Sequence, residues 1–420
     1  MAHSLRRLAC VAAVLALLPS VAAAAIRQAP PAPAGAARAA DPNPGVRNYL
    51  YGVKALSSTN AWTVGYYCAS SCADPSAEVD RTLIEHWDGT AWTQVPSPDP
   101  GTQIDKLSSV TATSATDAWA VGYYCSTKCG RSGEVEQTLI AHWDGTSWSQ
   151  VTSPNPFPDE LTAVTATSPT SAWAVGYYCT AGCLAAGGSL GTLAEHWNGT
   201  AWSQVHTPSP GAKPKQDVFF GVGATGTGDA WAAGSYCTSA CFTPSQTYHT
   251  LIEHWNGTVW SKVATPSSGT GPNLLALSAD SPADAWAVGY LNGSKTVILH
   301  WTGTAWAKAT SPNPGSTSLL YGLSAQSPTD AWAVGRYFKT SKGRFLTLIL
   351  RWGGTAWQQV ASPNPGSPAG LADDQLDQVS ADSPTDAWAV GNYCSSHCAA
   401  NSETDATLIL HWNGTRWSVS

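Results

Sequence analysis

Seven consecutive copies of one unit predict an all-β chain, folded as a seven-bladed β-propeller of four-stranded antiparallel blades. The 21 tryptophans of the chain fall three to a unit in seven units. Each unit also contains four segments with the composition of short strands, which in the second unit are residues 107–112, 118–124, 138–143 and 147–152. Four strands per unit of about 50 residues are typical of a propeller rather than a solenoid or a sandwich.

The tryptophans occupy three fixed positions in every unit. The first lies in an Ala-Trp-Ala/Thr-Val/Ala-Gly segment, which predicts the second strand, at Trp62, Trp119, Trp173, Trp231, Trp286, Trp332 and Trp388. The other two bracket a tight turn between the third and fourth strands, as Trp87 and Trp92 do. A two-residue Asp-Gly or Asn-Gly turn would pair Trp87 with Thr90 and make the two indoles diagonal neighbours on one face. We expect that face to form the packing between blades.

Proline-rich joints separate the units and predict how the ring closes. Six joints end the first six units, at residues 98–101, 154–156, 208–211, 266–269, 312–315 and 363–366. A seventh, Pro42-Asn43-Pro44-Gly45, precedes the first unit, so we expect the N-terminal segment to supply the closing joint. The predicted blades are residues 46–101, 102–156, 157–211, 212–269, 270–315, 316–366 and 367–420.

The N-terminal residues predict export. Arg6 and Arg7 precede an apolar run over residues 8–18, and three small residues, 22–24, follow it. We therefore expect residues 1–24 to be a cleaved signal peptide and residues 25–45 to be an Ala/Pro-rich tether that includes the closing joint. The apolar run is too short to cross a bilayer. The predicted product is a secreted, extracellular monomer with no membrane span in the mature chain.

The charge balance argues against a nucleic-acid partner. Loss of Arg6 and Arg7 with the signal would leave 19 of the 21 basic residues against 28 acidic ones. Nucleic-acid binding requires a basic footprint, which this balance does not supply. We expect no nucleic acid among the partners.

Ten of the eleven cysteines form five Cys-x3-Cys pairs just after the predicted second strands, at Cys68/Cys72, Cys125/Cys129, Cys179/Cys183, Cys237/Cys241 and Cys394/Cys398. In an exported chain these pairs predict five local disulfides that order long loops. Zinc is the alternative, but four ligands would require two pairs from neighbouring blades, and five pairs divide badly into such sites. We expect no metal and no cofactor.

One loop of the sixth unit breaks the acidic character of the chain. Residues 270–366 hold seven Lys or Arg against three acids. The candidate ligand-binding residues cluster in that loop: Arg336, Tyr337, Phe338, Lys339, Lys342, Arg344 and Phe345. Cations interleaved with aromatic rings suit an anionic polymer, a glycan or an acidic protein surface. An ordinary solvated hairpin is the alternative.

Two further repeated positions have structural as well as functional interpretations. The second residue after the glycine of the predicted second strand is a tyrosine in six units, at Tyr67, Tyr124, Tyr178, Tyr236, Tyr337 and Tyr393. These tyrosines either stack on sugars or pack beneath a loop. A histidine precedes the middle tryptophan, at His86, His142, His196, His254, His300 and His411, with Arg351 in the sixth unit. A catalytic residue is needed once, so this repetition favours a structural hydrogen bond. The same holds for Glu85, Glu195 and Glu253.

The repeated frame Asp-Ala-Trp-Ala-Val-Gly, followed by Thr-Leu-Ile-Glu-His-Trp-Asn-Gly-Thr-x-Trp, resembles the repeats of secreted bacterial β-propeller proteins. It is more distantly similar to photosystem II assembly-factor-like, Asp-box and kelch propellers, over residues 46–420. The resemblance implies the architecture and a binding surface, not an activity. Innermost strands such as residues 109–112 offer almost no acid or base, so we expect a non-catalytic binding or scaffold propeller. The alternative is a secreted carbohydrate-active hydrolase or lyase with a site on its loops.

Overall fold

The computed structural model describes residues 42–74, 77–127, 129, 135–154, 159–179, 188–243, 246–266, 271–366, 373–396, 398 and 404–420. Within these ranges the chain forms 28 strands and no helix. The strands form seven sheets, each of four consecutive antiparallel strands. The predicted seven-bladed β-propeller is therefore confirmed. No helix suited to crossing a membrane occurs in the part of the chain that the structure describes.

Each blade uses its four strands in chain order from the centre outward. The innermost strands are β1 (Asn48–Ser57), β5 (Ile104–Ser114), β9 (Asp159–Ser168), β13 (Asp217–Gly226), β17 (Pro272–Ser281), β21 (Ser318–Ser327) and β25 (Asp374–Ser383). The second strands are β2 (Asn60–Ser70), β6 (Asp117–Thr127), β10 (Ser171–Cys179), β14 (Asp229–Ser239), β18 (Asp284–Leu291), β22 (Asp330–Lys339) and β26 (Asp386–Ser396). The third strands are β3 (Val79–Trp87), β7 (Val135–Trp143), β11 (Leu190–Trp197), β15 (Thr247–Trp255), β19 (Lys295–Trp301), β23 (Arg344–Trp352) and β27 (Thr404–Trp412). The outermost strands are β4 (Trp92–Gln94), β8 (Trp148–Val151), β12 (Trp202–Gln204), β16 (Trp260–Lys262), β20 (Trp306–Lys308), β24 (Trp357–Val360) and β28 (Trp417–Val419).

The tryptophans pack between blades, as the sequence predicts. Trp62 of the first blade lies 5.0 Å from Trp143 and 5.2 Å from Trp148 of the second, measured between ring centroids. The second contact is edge to face, the favoured arrangement of aromatic rings. Trp388 of the seventh blade meets Trp92 of the first in the same way, at 5.1 Å. Because β25 also packs against β1, the innermost strands enclose a central channel.

The turn between the third and fourth strands differs from its prediction. Trp87 pairs directly with Trp92, so the predicted pairing of Trp87 with Thr90 is wrong. The Asp88 carboxylate accepts hydrogen bonds from the backbone nitrogens of Thr90 and the next residue, and this closes a four-residue loop. A type I′ turn needs two positive φ values, but here Gly89 alone has one, 94°. Directly paired residues share a face, so both indoles still reach the neighbouring blade.

The N-terminal joint contacts the seventh blade. The Asn43 side-chain oxygen accepts a hydrogen bond from the backbone nitrogen of Thr407, at 2.9 Å. In the sixth blade, the joint residue Asn364 accepts the equivalent bond from Thr347, at 2.7 Å. The N-terminal joint therefore makes the same contact with the seventh blade that the joint after the sixth blade makes with the sixth. The first and seventh blades exchange no strand.

The two ends of the ring differ in their connections. Asn48 at the start of β1 pairs with Tyr67 near the end of β2, so the chain enters each blade at the end where the loop after the second strand leaves it. We call this end the joint face, because it carries the joints and the cysteine loops, and the opposite end the turn face. Four predicted pairs are disulfide-bonded on the joint face: Cys68–Cys72, Cys125–Cys129, Cys237–Cys241 and Cys394–Cys398. Cys183, the expected partner of Cys179, lies outside the described residues, as do residues 1–41.

Candidate functional site

The repeated histidines serve the architecture. The His254 Nε2 atom lies 2.7 Å from the carboxylate of Asp229, the first residue of the second strand of the same blade. The centre of the His254 ring lies 4.1 Å from that of Trp231, with the two rings tilted by 32°. In the sixth blade, the Arg351 Nε atom replaces the imidazole and donates to Asp330 at 2.9 Å. These hydrogen bonds support the structural interpretation of this position.

The glutamates of the third strand are buried between blades. Glu195 receives a hydrogen bond from the Ser153 hydroxyl of the preceding blade, at 2.9 Å. Burial raises the pKa of Glu195 to about 8. Burial, assisted by the Asp217 carboxylate, likewise raises the pKa of Glu253 to about 8. Glu85 is fully buried as well. Side chains enclosed in this way are inaccessible to a ligand in solution.

The tyrosines singled out from the sequence also pack inward. All six lie half-buried against the hydrophobic clusters between blades, at Tyr67, Tyr124, Tyr178, Tyr236, Tyr337 and Tyr393. The residue before each of them points to the other face of its sheet, because side chains alternate along a strand. The side chain at that preceding position is not the same in every blade.

Three equivalent positions near the joint-face end of the first two strands vary between blades. The two on the innermost strand differ in almost every blade, whereas the one on the second strand is tyrosine in four blades. The first is on the innermost strand: Tyr49, Lys106, Glu160, Val218, Asn273, Leu319 and Gln375. The second is its partner on the second strand: Tyr66, Tyr123, Tyr177, Ser235, Tyr290, Arg336 and Asn392. The third is the β-bulge two residues further along the innermost strand: Tyr51, Ser108, Thr162, Phe220, Leu275, Tyr321 and Asp377. We call this set the channel mouth.

Three tyrosines form the first-blade part of the channel mouth. The ring of Tyr49 lies 5.0 Å from Tyr66 and 6.4 Å from Tyr51, nearly parallel to the latter. The Tyr49 hydroxyl donates to the Asp405 carboxylate of the seventh blade at 2.5 Å. Burial, with Tyr66 and Asp405 beside it, raises the pKa of Tyr49 well above its usual value. The Tyr49 ring therefore stays neutral and fixed in place, as a stacking surface requires.

Lys106 links the first two blades at the channel mouth. Its ammonium group lies 2.8 Å from the Asp80 carboxylate and 3.8 Å above the ring of Tyr66. The side chain is almost completely buried. The charge is therefore balanced by an ion pair and by a cation–π contact, and one face of Tyr66 is occupied.

Hydrogen-bonded pairs continue the ring around the channel. In the third blade, the Tyr177 hydroxyl donates to Glu160 at 2.5 Å, and burial with this carboxylate raises the pKa of Tyr177 well above its usual value. In the fifth blade, the Asn273 amide donates to the Tyr290 hydroxyl at 3.1 Å. The fourth-blade residue Phe220 adds an apolar ring at the bulge. Amide, carboxylate, phenol and apolar groups thus occupy the mouth positions of different blades, where Glu160 and Asn273 are themselves buried.

The structure divides the candidate residues of the sixth-blade loop. Arg336 belongs to the channel mouth, where its guanidinium forms an ion pair with Asp373 and lies 4.4 Å from the centre of the Phe345 ring. Arg344 donates to the Gly366 carbonyl at 2.9 Å. Both arginines are nearly buried and face the joint that leads to the seventh blade.

The remaining candidates of this loop form its tip and its base. Lys339 and Lys342 are exposed at the hairpin between β22 and β23. Phe338 meets Phe345 edge to face at 5.2 Å, while Tyr337 packs against the core. Only two of the four cations therefore face solvent in this loop, all of which the structure describes.

Sequence reasoning missed most of the channel mouth. The innermost-strand residues 109–112, which offer almost no acid or base, begin after the mouth residue Lys106 of the same strand. Glu160 of the third blade and Lys54 of the first likewise lie outside the segments on which the prediction of a non-catalytic propeller rested. A position-by-position comparison of the seven units would have found the signal, because the residue after the glycine of the second strand varies between Tyr, Ser, Arg and Asn.

One group among the described residues has the composition of a metal site. Cys68, Glu78 and Asp80 bring their ligand atoms within 4.8 Å of one another. The sulfur of Cys68 is bonded to Cys72, and Glu78 forms an ion pair with Arg47 at 2.7 Å. Lys106 holds Asp80. This group therefore offers no ligand set for a metal ion.

Comparison with known proteins places the chain among propellers. No protein-family model and no curated protein matches the sequence. An ulvan lyase from a new family of polysaccharide lyases, PL25, is 11% identical, with a TM-score of 0.54 over 90% of this chain and 97% of that one. The ulvan lyase bound to -[GlcA(1-4)Rha3S]- is 12% identical, with a TM-score of 0.52 over 86% and 91% of the two chains. YCF48 bound to a D1 peptide is 15% identical, with a TM-score of 0.49 over 89% and 96%. At these identities the likeness concerns the fold alone.

Proposed function

We propose that this protein is an exported, non-catalytic propeller that binds an extracellular glycan at the channel mouth. One observation carries the proposal: the blades repeat their packing residues but differ at the mouth positions of the innermost strand, the first of which holds a different residue in each blade. A symmetric scaffold needs no such difference, whereas recognition of an asymmetric ligand does.

The chemistry of the channel mouth suits a sugar. Binding sites combine apolar and aromatic surface with a few fixed polar groups that orient the ligand. Tyr49 and Tyr51 supply parallel rings, and the partly exposed mouth residues Gln375 and Asp377 supply an amide and a carboxylate group. Aromatic faces match the C–H faces of a sugar ring, and the polar groups match its hydroxyls.

The same contacts support binding rather than catalysis. The two mouth cations are already engaged by protein carboxylates, Lys106 by Asp80 and Arg336 by Asp373. Glu160 accepts a hydrogen bond from Tyr177. Groups held in this way give direction to hydrogen bonds but are poorly placed to transfer protons.

We extend the proposed site to the sixth-blade hairpin. Arg336 lies in the channel mouth and also begins the segment that leads to the exposed residues Lys339 and Lys342. These two ammonium groups give the adjacent rim an attraction for acidic substituents. An acidic glycan that reaches from the mouth to the hairpin would contact both.

We also propose that the protein acts outside the cytoplasm. The disulfides Cys68–Cys72, Cys125–Cys129, Cys237–Cys241 and Cys394–Cys398 support this, because such bonds persist in oxidising compartments. Mass spectrometry of the N-terminus of the exported protein tests it. A mature chain that begins near residue 25 is expected, and a chain retained in the cytoplasm with its first 24 residues would contradict it.

A glycan array tests the proposed function. The exported protein should bind one class of glycan, and Tyr51→Ala should reduce that signal at least tenfold. Phe242→Ala is the matched control, because Phe242 is an aromatic residue on the joint face that is 46% exposed and lies outside the channel mouth. Absence of any glycan signal, or equal loss in both variants, would overturn the proposal. Release of new reducing ends from a bound glycan would instead favour a hydrolase or lyase.

A further inference from the structure

One innermost-strand position below the channel mouth carries a single charged residue. The residue paired with the first tryptophan of each blade is small or hydroxylated in six blades and a lysine in the first: Lys54, Thr111, Thr165, Gly223, Ser278, Ser324 and Ser380. Lys54 lies three residues beyond Tyr51, about 10 Å along the strand. It is therefore separate from the residues of the channel mouth.

In the serine blades, this position joins neighbouring blades. The Ser380 hydroxyl oxygen accepts a hydrogen bond from the backbone nitrogen of Ala55 at 3.0 Å, and Ser278 accepts one from Ala325 at 3.0 Å. A lysine has no acceptor atom and cannot take this role. Lys54 thus gives up an interblade hydrogen bond that the serine blades make.

The ammonium group of Lys54 is not used elsewhere in the fold. Within the part of the chain that the structure describes, it forms no hydrogen bond and no ion pair. The side chain is half-buried on the innermost strand, which borders the channel. Burial lowers the pKa of the Lys54 amine, and the Asp382 carboxylate, which is not within ion-pairing distance, opposes that shift.

The wall beside Lys54 is rich in hydrogen-bond donors. Each serine that accepts a backbone N–H keeps its own hydroxyl proton available, because one hydroxyl is both an acceptor and a donor. Ser380 lies next to the Lys54 backbone in this way, and Thr111 occupies the equivalent position of the second blade. Three ammonium protons and nearby hydroxyl protons suit an oxyanion, whose oxygens accept all of them.

We propose that Lys54, with the hydroxyls of Ser380 and Thr111, forms an oxyanion site inside the channel. The ligand is a sulfate or carboxylate group, either as a free anion or as an acidic substituent of a molecule bound at the channel mouth. The site goes beyond the proposed glycan binding: binding of a free anion does not depend on it, whereas binding of an acidic substituent rests on it.

Calorimetric titration of the exported protein with sulfate tests the site. Wild-type protein should bind sulfate, and Lys54→Met, which keeps the length of the side chain without its charge, should weaken that binding at least tenfold. Lys54→Ser, which restores the residue of the other blades, should lose it to the same extent while remaining folded. Low millimolar sulfate is needed, because higher concentrations stabilise any protein through exclusion from its surface.

An acidic disaccharide and its neutral analogue distinguish the two sources of the oxyanion. If the oxyanion is a substituent of a larger ligand, Lys54→Met should weaken binding of the acidic disaccharide and leave binding of its neutral analogue unchanged. This result is expected even where free sulfate binds poorly. Tyr51→Ala should leave sulfate binding unchanged, so that failure of the mouth proposal and failure of the oxyanion site are separable. The oxyanion site is wrong if neither sulfate nor the acidic disaccharide depends on Lys54.

A measurement on the wild-type protein covers the case in which Lys54 variants do not fold. Sulfate or the acidic disaccharide should slow acylation of the Lys54 amine several-fold, as mapped by mass spectrometry, and leave the exposed Lys308 of the outermost strand β20 unaffected. Equal protection of both lysines, or protection of neither, would contradict the site.

Discussion

Asp280 lies beside Asp284 at the turn face of the fifth blade, and one carboxyl oxygen of each is buried without a hydrogen-bond partner among the described residues. In the fourth blade, the Thr225 hydroxyl takes the place of Asp280 and donates to Asp229 at 2.6 Å. A hydroxyl brings its own proton, whereas two carboxyl groups must hold one between them. Burial, together with the Asp284 carboxyl, therefore raises the pKa of Asp280 to about 6.

Replacement of Asp280 by the residue of the fourth blade should stabilise the protein in alkaline solution. The folded-state pKa of Asp280 lies above that of the unfolded chain, so the protonated carboxyl pair is favourable below about pH 4, and this stability is lost as the pH rises through 6. Asp280→Thr should increase the free energy of unfolding by about 1 kcal/mol at pH 8 and change it little at pH 4. Denaturant titrations at the two pH values measure this difference.

The reverse substitution is the control for Asp280→Thr. Thr225→Asp should create the same carboxyl pair in the fourth blade and lower stability at pH 8 more than at pH 4. An equal effect at both pH values would show that the carboxyl pair does not govern the difference.

Glu253 should make the fold less stable as the pH rises. It is fully buried between blades, and burial raises its pKa to about 8 from an unfolded value near 4.3. The destabilisation caused by ionising the buried Glu253 is absent below the pKa that Glu253 has in the unfolded chain. It grows as the pH rises, until the pH passes the pKa of Glu253 in the folded protein. Glu253→Gln should therefore raise the free energy of unfolding at pH 9 by an amount on the order of 2 kcal/mol and have little effect at pH 4.

The chain itself supplies the control for Glu253. The fifth blade has Leu299 at the equivalent position, so Leu299→Gln places the same amide in a blade that never held a carboxyl group. That variant should be destabilised equally at pH 4 and pH 9. A pH-independent effect of Glu253→Gln would mean that the carboxyl group is not the cause.

Loss of the Asn43 side chain should cost as much stability as loss of the joint residue Asn364. Each accepts a hydrogen bond from a buried threonine backbone, Thr407 and Thr347 respectively. Asn43→Ala and Asn364→Ala should each lower the free energy of unfolding by about 1 kcal/mol, as measured by thermal or denaturant unfolding. If Asn43→Ala left the free energy of unfolding unchanged while Asn364→Ala lowered it, the ring would not need its N-terminal joint.

Local patterns were sufficient for the scaffold of this protein. Tryptophan spacing located the strands and the interblade packing, because each indole serves the same contact seven times. The hairpin register was not predictable from the Asp-Gly pair alone, because the Asp88 side chain closes a longer loop by bonding to Thr90. The dipeptide is compatible with either loop, and the side-chain contact decides between them.

The candidate site depended on contacts that the sequence does not display. Of the adjacent residues Tyr66 and Tyr67, the second packs against the core and the first reaches Lys106 of the next blade. That assignment requires the pairing register and the bulge. Arg336 resembled a solvent-facing cation in the sequence, but the joint brings Asp373 to it from 37 residues away.

A crystal structure of the exported protein with its array-selected glycan tests the central claim most directly. The account predicts that a sugar ring stacks on Tyr51 or Tyr49 and that its hydroxyls contact polar groups of the channel mouth. A glycan held on the turn face, or on the outer strands of the blades with the mouth empty, would contradict it.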